Sequence, residues 1–155
     1  MAAPYLLSTS HVVPSSIERA MAVLFDVRLE DLFTERGGLI PHIKETRGDR
    51  WSEVGDTRTV VLADGSTNTE TLVGLERPTS YRYRLSDFTG PMRMLVERVD
   101  GEFMFSPSGD GTRATWSWAV YPKNGLTRLT MPLLGRSWRT FGDRMWPKFD
   151  AYATA

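Results

Sequence analysis

The chain has 155 residues, the length of one ordinary domain, and at that size a single core can bury roughly 70% of the surface the unfolded chain exposes. Apolar residues make up 41% and charged residues 25%, which excludes a disordered or fibrous chain; 19 Lys plus Arg against 19 Asp plus Glu leave no net field to draw in nucleic acid or an anionic membrane. Cysteine is absent, which excludes disulfides, thiol catalysis and thiolate-bound metals together.

No apolar run approaches the roughly 18 residues that span a bilayer, and Met1 to Val13 lacks the basic start and apolar middle of a signal peptide. A cytoplasmic protein without stable membrane insertion is expected. Tyr5 to Val13 reads as a strand, and Pro14-Ser15-Ser16 supplies a turn and a serine N-cap for a helix over Ile17 to Phe25, whose apolar positions fall at helical spacing. A second short helix is expected over Leu29 to Glu35, ended by Gly37-Gly38.

From Ile40 the pattern changes to period two, the mark of strands with one buried face. The segments "PHIKETRGDRW", "TRTVVLA", "NTETLVGLE", "SYRYRLSDF", "MLVERVDGEFMF" and "TRATWSWAVY" read as six strands. Asp64-Gly65, Arg77-Pro78, Thr89-Gly90-Pro91 and "SPSGDG" supply the turns between the later ones. Connections this short require antiparallel neighbours. Gly101 inside a strand reads as a bulge or bend. No linker or internal repeat divides the chain, so residues 1–155 are expected to form one domain.

In "MPLLGRSWRTFGDRMWPKFDAY", Met131, Leu134, Trp138, Phe141, Met145, Phe149 and Tyr152 recur at intervals of three or four and share an arc of about 80° on a helix. Arg136, Arg139, Thr140, Asp143 and Pro147 face the other way, and the arginines Arg128, Arg136, Arg139 and Arg144, interspersed with acids, read as a solvated face of that helix. Thr130 is the expected N-cap, with Pro132 in the first turn, where its missing N–H costs nothing. Gly135 and Gly142 border the stripe, which implies either close approach of the helix to a sheet or space left for something else.

The order strand, two helices, six-strand meander and long final helix resembles the SRPBCC superfamily, the START and polyketide cyclase/dehydrase helix-grip proteins. The likeness extends to "VPSSIERAMAVLFD", "WSEVGDTRTVVLADG", "ETLVGLERPTSYRYRL" and "SPSGDGTRATWSW". It implies an α+β helix-grip fold, β-α-α-β6-α, with a curved antiparallel sheet wrapped around the C-terminal helix. It also implies a cavity between them for a small hydrophobic molecule such as a lipid or polyketide. The segment "TERGGLIPHI" lacks the tryptophan that many members carry near the cavity mouth.

On that resemblance, Leu134, Trp138, Phe141, Met145 and Phe149 are expected to form one wall; from pattern alone the same stripe describes a filled core. Tyr81, Tyr83, Leu85 and Asp87 share one face of their strand, as do Trp116, Trp118 and Val120, and these rings either line the cavity or cover the outer face of the sheet. Arg58 and Glu70 flank the Asp64-Gly65 turn. Pointing inward they form a buried pair that orients a ligand carbonyl or carboxylate; pointing outward they are an ordinary cross-strand pair.

His11 and His42 are the only histidines and match no metal-ligand spacing, so no metal or cofactor is expected. The roles in view are a carrier or sensor, a cyclase- or dehydratase-type enzyme using the same cavity with His42, Glu70, Tyr83 or Asp87 as acid or base, and a chaperone-partner or regulatory module presenting an apolar surface. A monomer or homodimer is compatible with each.

Overall fold

The computed structural model describes residues 3–48 and 50–155. Strand β1 (Tyr5–Val13) leads through Pro14 into helix α1 (Ile17–Asp26), where the Ser16 hydroxyl accepts the Arg19 N–H at 3.3 Å and so satisfies one free amide of the first turn. Helix α2 (Leu29–Leu32) is a single turn, shorter than the expected 29–35. Phe33 leaves the helical region with ψ 66° and stacks its ring on Phe141 at 4.7 Å between centroids. Burial of that ring outweighs continuation of the helix. A tight turn follows, closed by Gly37 N–H to Ile40 O at 2.9 Å and Ile40 N–H to Gly37 O at 2.8 Å, with Gly38 at φ +53°.

Strands β2 (Ile43–Arg47), β3 (Thr57–Leu62), β4 (Thr67–Glu76), β5 (Ser80–Ser86), β6 (Val96–Ser108) and β7 (Gly111–Pro122) complete one curved, wholly antiparallel sheet in the order β1-β7-β6-β5-β4-β3-β2. β2 covers less than the expected "PHIKETRGDRW", whose Asp49 lies outside the described residues. Beyond Gly48 the Asp56 carboxylate accepts the N–H groups of Ser52 and Glu53 at 2.9 and 3.0 Å, a local alternative to a strand ladder. The Asp64-Gly65 turn forms as expected, with Gly65 at φ +88°.

Helices α3 (Pro91–Leu95) and α4 (Gly125–Arg128) had no counterpart in the sequence reading, because one turn is too short to display a period. Asn124 caps α4 by accepting the Thr127 N–H at 2.8 Å. Thr130 stands at the N-cap of the last helix as expected, but its backbone is helical and its hydroxyl donates to Thr127 O at 2.6 Å in place of accepting a first-turn N–H. Arg128 belongs to α4, not to the last helix, and reaches Ala3 O at 2.6 Å.

Helix α5 (Met131–Ala153) has 23 residues and is about 34 Å long at about 1.5 Å per residue. The expected stripe is buried except for Tyr152 at the end, while Arg136, Arg139, Asp143 and Pro147 are exposed. Of the two readings of its glycines, close approach holds: a Cβ would lie 2.9 Å from Leu7 Cδ2 at Gly135 and 3.3 Å from Trp116 Cζ3 at Gly142. The helix backbone therefore rests on β1 and β7. His11 fastens the far end, its Nε2 bonded to both Asp150 oxygens at 2.9 and 2.8 Å and its ring stacked on Trp146.

Gly101 is not a bulge. The β6–β7 register runs through it unbroken, with Gly101 opposite Trp118, and bulges fall instead at Ile43/Glu45, Leu72/Gly74 and Val96/Arg98. Its role is space: a Cβ there would sit 2.1 Å from Tyr83 Cζ, so the tyrosine ring lies across the bare backbone.

Candidate functional site

Strand alternation turns Arg58 and Val60 of β3, Asn68, Glu70 and Leu72 of β4, and Tyr81, Tyr83 and Leu85 of β5 to the inner face, where all are buried. Phe103 of β6 and Trp116 and Trp118 of β7 continue that face. Between it, α2, α3 and the first turns of α5 lies a cavity of about 310 Å³. Leu24, Leu29, Phe33, Ile43, Leu62, Phe88, Met92, Leu95, Leu134 and Phe141 add to an almost wholly apolar lining. Its exposed members, Leu39 at 66%, Leu133 at 52%, Pro91, Asp64 and Thr89, mark the mouth, where apolar side chains stand beside two polar ones. Ser137 shapes that entrance by accepting the Leu39 N–H at 3.0 Å, which ties the Gly37–Ile40 turn to α5.

The cavity brings together eight of the residues singled out in the sequence: Glu70, Tyr81, Tyr83, Leu85, Trp116, Trp118, Leu134 and Phe141. Trp138, Met145 and Phe149 do not line it. They fill the solid part of the core, Trp138 packing on Trp116 at 4.5 Å and on Trp118 at 5.7 Å between centroids, and Phe149 on Trp146 at 5.5 Å. His42 is exposed because its neighbour Ile43 takes the inward position. Asp87 is exposed too: β5 ends at Ser86, and Asp87 adopts φ +53°, which breaks the alternation that placed it beside Leu85. Asn68, Phe33, Phe88 and Met92 line the cavity without having been singled out. Asn68 was legible, two residues before Glu70 on one face; Met92 was not, since it belongs to the one-turn α3.

Arg58 and Glu70 face inward, directly opposite in the β3–β4 register, with Nε–Oε2 at 3.2 Å and Nη2–Oε1 at 3.3 Å. The Tyr81 hydroxyl donates to Glu70 Oε1 at 3.2 Å and accepts the Trp51 indole N–H at 3.1 Å, and the Arg58 guanidinium lies 3.9 Å over the Trp51 ring. Burial works against the Arg58 charge, but Glu70 and the neighbouring tyrosines outweigh it and hold its pKa above the ordinary value. Glu70 reaches the cavity wall, whereas Arg58 borders a separate hollow beside Phe25, Arg28 and Trp51.

Tyr83 forms the second polar cluster. Its hydroxyl oxygen accepts the indole N–H of Trp116 at 2.7 Å and of Trp118 at 2.8 Å. Burial first, and the Glu70 charge second, push the Tyr83 phenol far above its ordinary range, with the two indole bonds acting in the opposite sense. Tyr81 is raised by the same two main causes. Among the described residues no group of three or more His, Asp or Glu side chains is placed to hold a metal ion.

The family model described as polyketide cyclase/dehydrase and lipid transport matches residues 6–153. No curated protein shows a significant sequence match. Among solved structures, the ginseng major latex-like protein 151 from Panax ginseng superposes with a TM-score of 0.75 at 13% identity, over 99% of this chain and 100% of that one. MLL2253 from Mesorhizobium loti gives 0.68 at 14% identity, over 95% and 98% of the two chains. TTHA0849 from Thermus thermophilus gives 0.67 at 14%, over 97% of each. At such identities the likeness is one of fold. No described helix is long and apolar enough to cross a membrane.

Proposed function

The chain belongs to the polyketide cyclase/dehydrase and lipid transport family, within the SRPBCC superfamily, and from that premise we propose that it holds a small hydrophobic molecule in the sheet-to-helix cavity as a carrier or sensor. The observation that supports this most is the cavity itself, about 310 Å³ with a mainly apolar lining and within the size range of small-molecule sites. The carrier reading is favoured over catalysis by where the acid and base candidates stand. His42 and Asp87 are exposed and outside the cavity, the Glu70 oxygens are engaged by Arg58 and Tyr81, and Tyr83, which does line the cavity, is kept protonated by burial and so is no base. A filled interior, which the chaperone-partner reading would favour, is not what these side chains build.

The test is titration with N-phenyl-1-naphthylamine, a neutral apolar fluorophore, together with native mass spectrometry of protein purified from its host. Leu85→Trp, which fills the cavity, is expected to abolish probe binding while the circular dichroism spectrum is retained, and Arg139→Ala is expected to leave binding unchanged. Binding that survives Leu85→Trp would place the probe elsewhere and remove the proposal.

A further inference from the structure

The Tyr83 hydroxyl has an unusual hydrogen-bond balance. An indole N–H only donates, so both Trp116 and Trp118 must use the Tyr83 oxygen as acceptor, and neither can take the hydrogen that Tyr83 itself carries. Among the described residues no other acceptor lies within hydrogen-bond distance of it; Glu70, the nearest candidate by charge, is bonded by Tyr81 and Arg58 instead. Tyr83, Trp116 and Trp118 all line the cavity, which puts this hydroxyl in the wall that a ligand would meet. Two donors on one oxygen also polarise its O–H bond and strengthen it as a donor.

We propose that the ligand carries a carbonyl oxygen, of a ketone, aldehyde or ester, at its buried end, and that the Tyr83 O–H donates to it; Tyr83 is then the residue that selects among apolar molecules of similar shape. The phenol stays protonated at any ordinary pH because burial raises its pKa, so the donor is always present. A carbonyl fits better than a carboxylate: among the described residues no Lys, Arg or His lines the cavity, and Arg58, the nearest buried cation, is bound to Glu70 and faces the other hollow. A second polar group, the amide of Asn68, also lines the cavity, 8% exposed and with Oδ1 unpartnered among the described residues. It lies close to the end of β4 beside the Asp64-Gly65 turn. The backbone separation from the Tyr83 row, four residues along the sheet, is about 13 Å at about 3.3 Å per residue, so the Asn68 NH2 group is a rival donor for a ligand oxygen at a separate place on the wall.

The inference rests on the cavity reading above, and the experiment separates the two. Its probes are 2-acetylnaphthalene and 2-ethylnaphthalene, nearly equal in shape and differing in a carbonyl, with affinities read from quenching of the protein's tryptophan fluorescence. Tyr83→Phe is expected to weaken the ketone about tenfold and the hydrocarbon hardly at all, and Asn68→Leu to leave the ratio of the two affinities unchanged. The carbonyl 13C resonance of the bound labelled ketone is expected downfield of its position in an alkane, a reading that needs only the wild-type protein if Tyr83→Phe fails to fold. Failure of both probes to bind overturns the cavity reading and this inference with it. Binding of both probes with no Tyr83→Phe difference, with no downfield shift, or with the preference lost in Asn68→Leu instead, overturns the role of Tyr83 alone.

Discussion

Gly101→Ala puts the close packing of Tyr83 to the test. The added Cβ would stand 2.1, 2.4 and 2.6 Å from Tyr83 Cζ, Cε2 and Cε1. Restoring an ordinary carbon contact of about 3.5 Å moves the ring by about 1.4 Å. The ring cannot move that far and keep indole bonds of 2.7 and 2.8 Å to two tryptophans fixed in the next strand but one. Two buried hydrogen bonds at about 1 kcal/mol each, with about 1–3 kcal/mol of overpacking, oppose the gain of about 0.5–1 kcal/mol from replacing a strand glycine, and the net expectation is a loss of about 2–4 kcal/mol. Gly74→Ala is the control, since its Cβ would meet only the exposed Arg82 guanidinium, 2.6 Å from Nε, which can swing away. Urea unfolding followed by far-ultraviolet circular dichroism gives both values. Equal stabilities for the two variants, or a Gly101→Ala protein as stable as wild type, would show that the ring is not held as described.

Removing one member of the buried Arg58–Glu70 pair is expected to be costly, about 3–5 kcal/mol for Glu70→Gln or Arg58→Met, whereas Arg58→Met with Glu70→Leu should cost less than either single change in urea melts. Tyr81 and Tyr83 have folded-state pKa values above the value of about 10 they take in the unfolded chain, so their contribution is complete below pH 10 and is lost as pH rises beyond it. The unfolding free energy from urea melts should fall by about 1.4 kcal/mol for each between pH 9 and 11, most of it above pH 10, and Tyr83→Phe should halve the tyrosine share of that loss. Met145→Ala, in the solid core, is expected to cost about 2–5 kcal/mol and spare N-phenyl-1-naphthylamine binding, while Leu134→Ala at the cavity wall costs less stability and weakens binding; the reverse order would exchange the two assigned environments.

Long periodic elements were legible because many residues repeat one instruction. β1 matched its expected ends, and the α5 stripe needed only Tyr152 removed. A one-turn helix offers no repeat, so α3 and α4 were invisible, and with them Met92 of the cavity wall, while Leu95, expected in the strand that follows, ends α3. The inward face of β5 was readable as far as Leu85 and failed at Asp87, where the strand stops and the chain turns. For α5 the failure was of a different kind. A period of 3.6 says which face is buried, not whether it meets packed side chains or empty space, so Leu134 and Phe141 at the cavity and Trp138, Met145 and Phe149 in the core carry the same signature.

What keeps such a hollow open follows from where the helix touches the sheet. Gly135 and Gly142 bring the α5 backbone down onto β1 and β7, so the dense core lies along that edge, while β3, β4 and β5 at the other side of the sheet face α2, α3 and the first turns of α5 across a gap. Dispersion alone would draw the rings of that side inward. They are held back by polar bonds made along the wall: Tyr83 to the indoles of Trp116 and Trp118, and Tyr81 to Glu70 and Trp51. For a ring to swing into the gap it must leave buried partners unsatisfied, at about 1–3 kcal/mol for each group so exposed, and this exceeds what a partly filled space returns. The same bonds that fix the wall thus leave the Tyr83 hydrogen without an acceptor among them, which ties the persistence of the cavity to the chemistry it offers a guest.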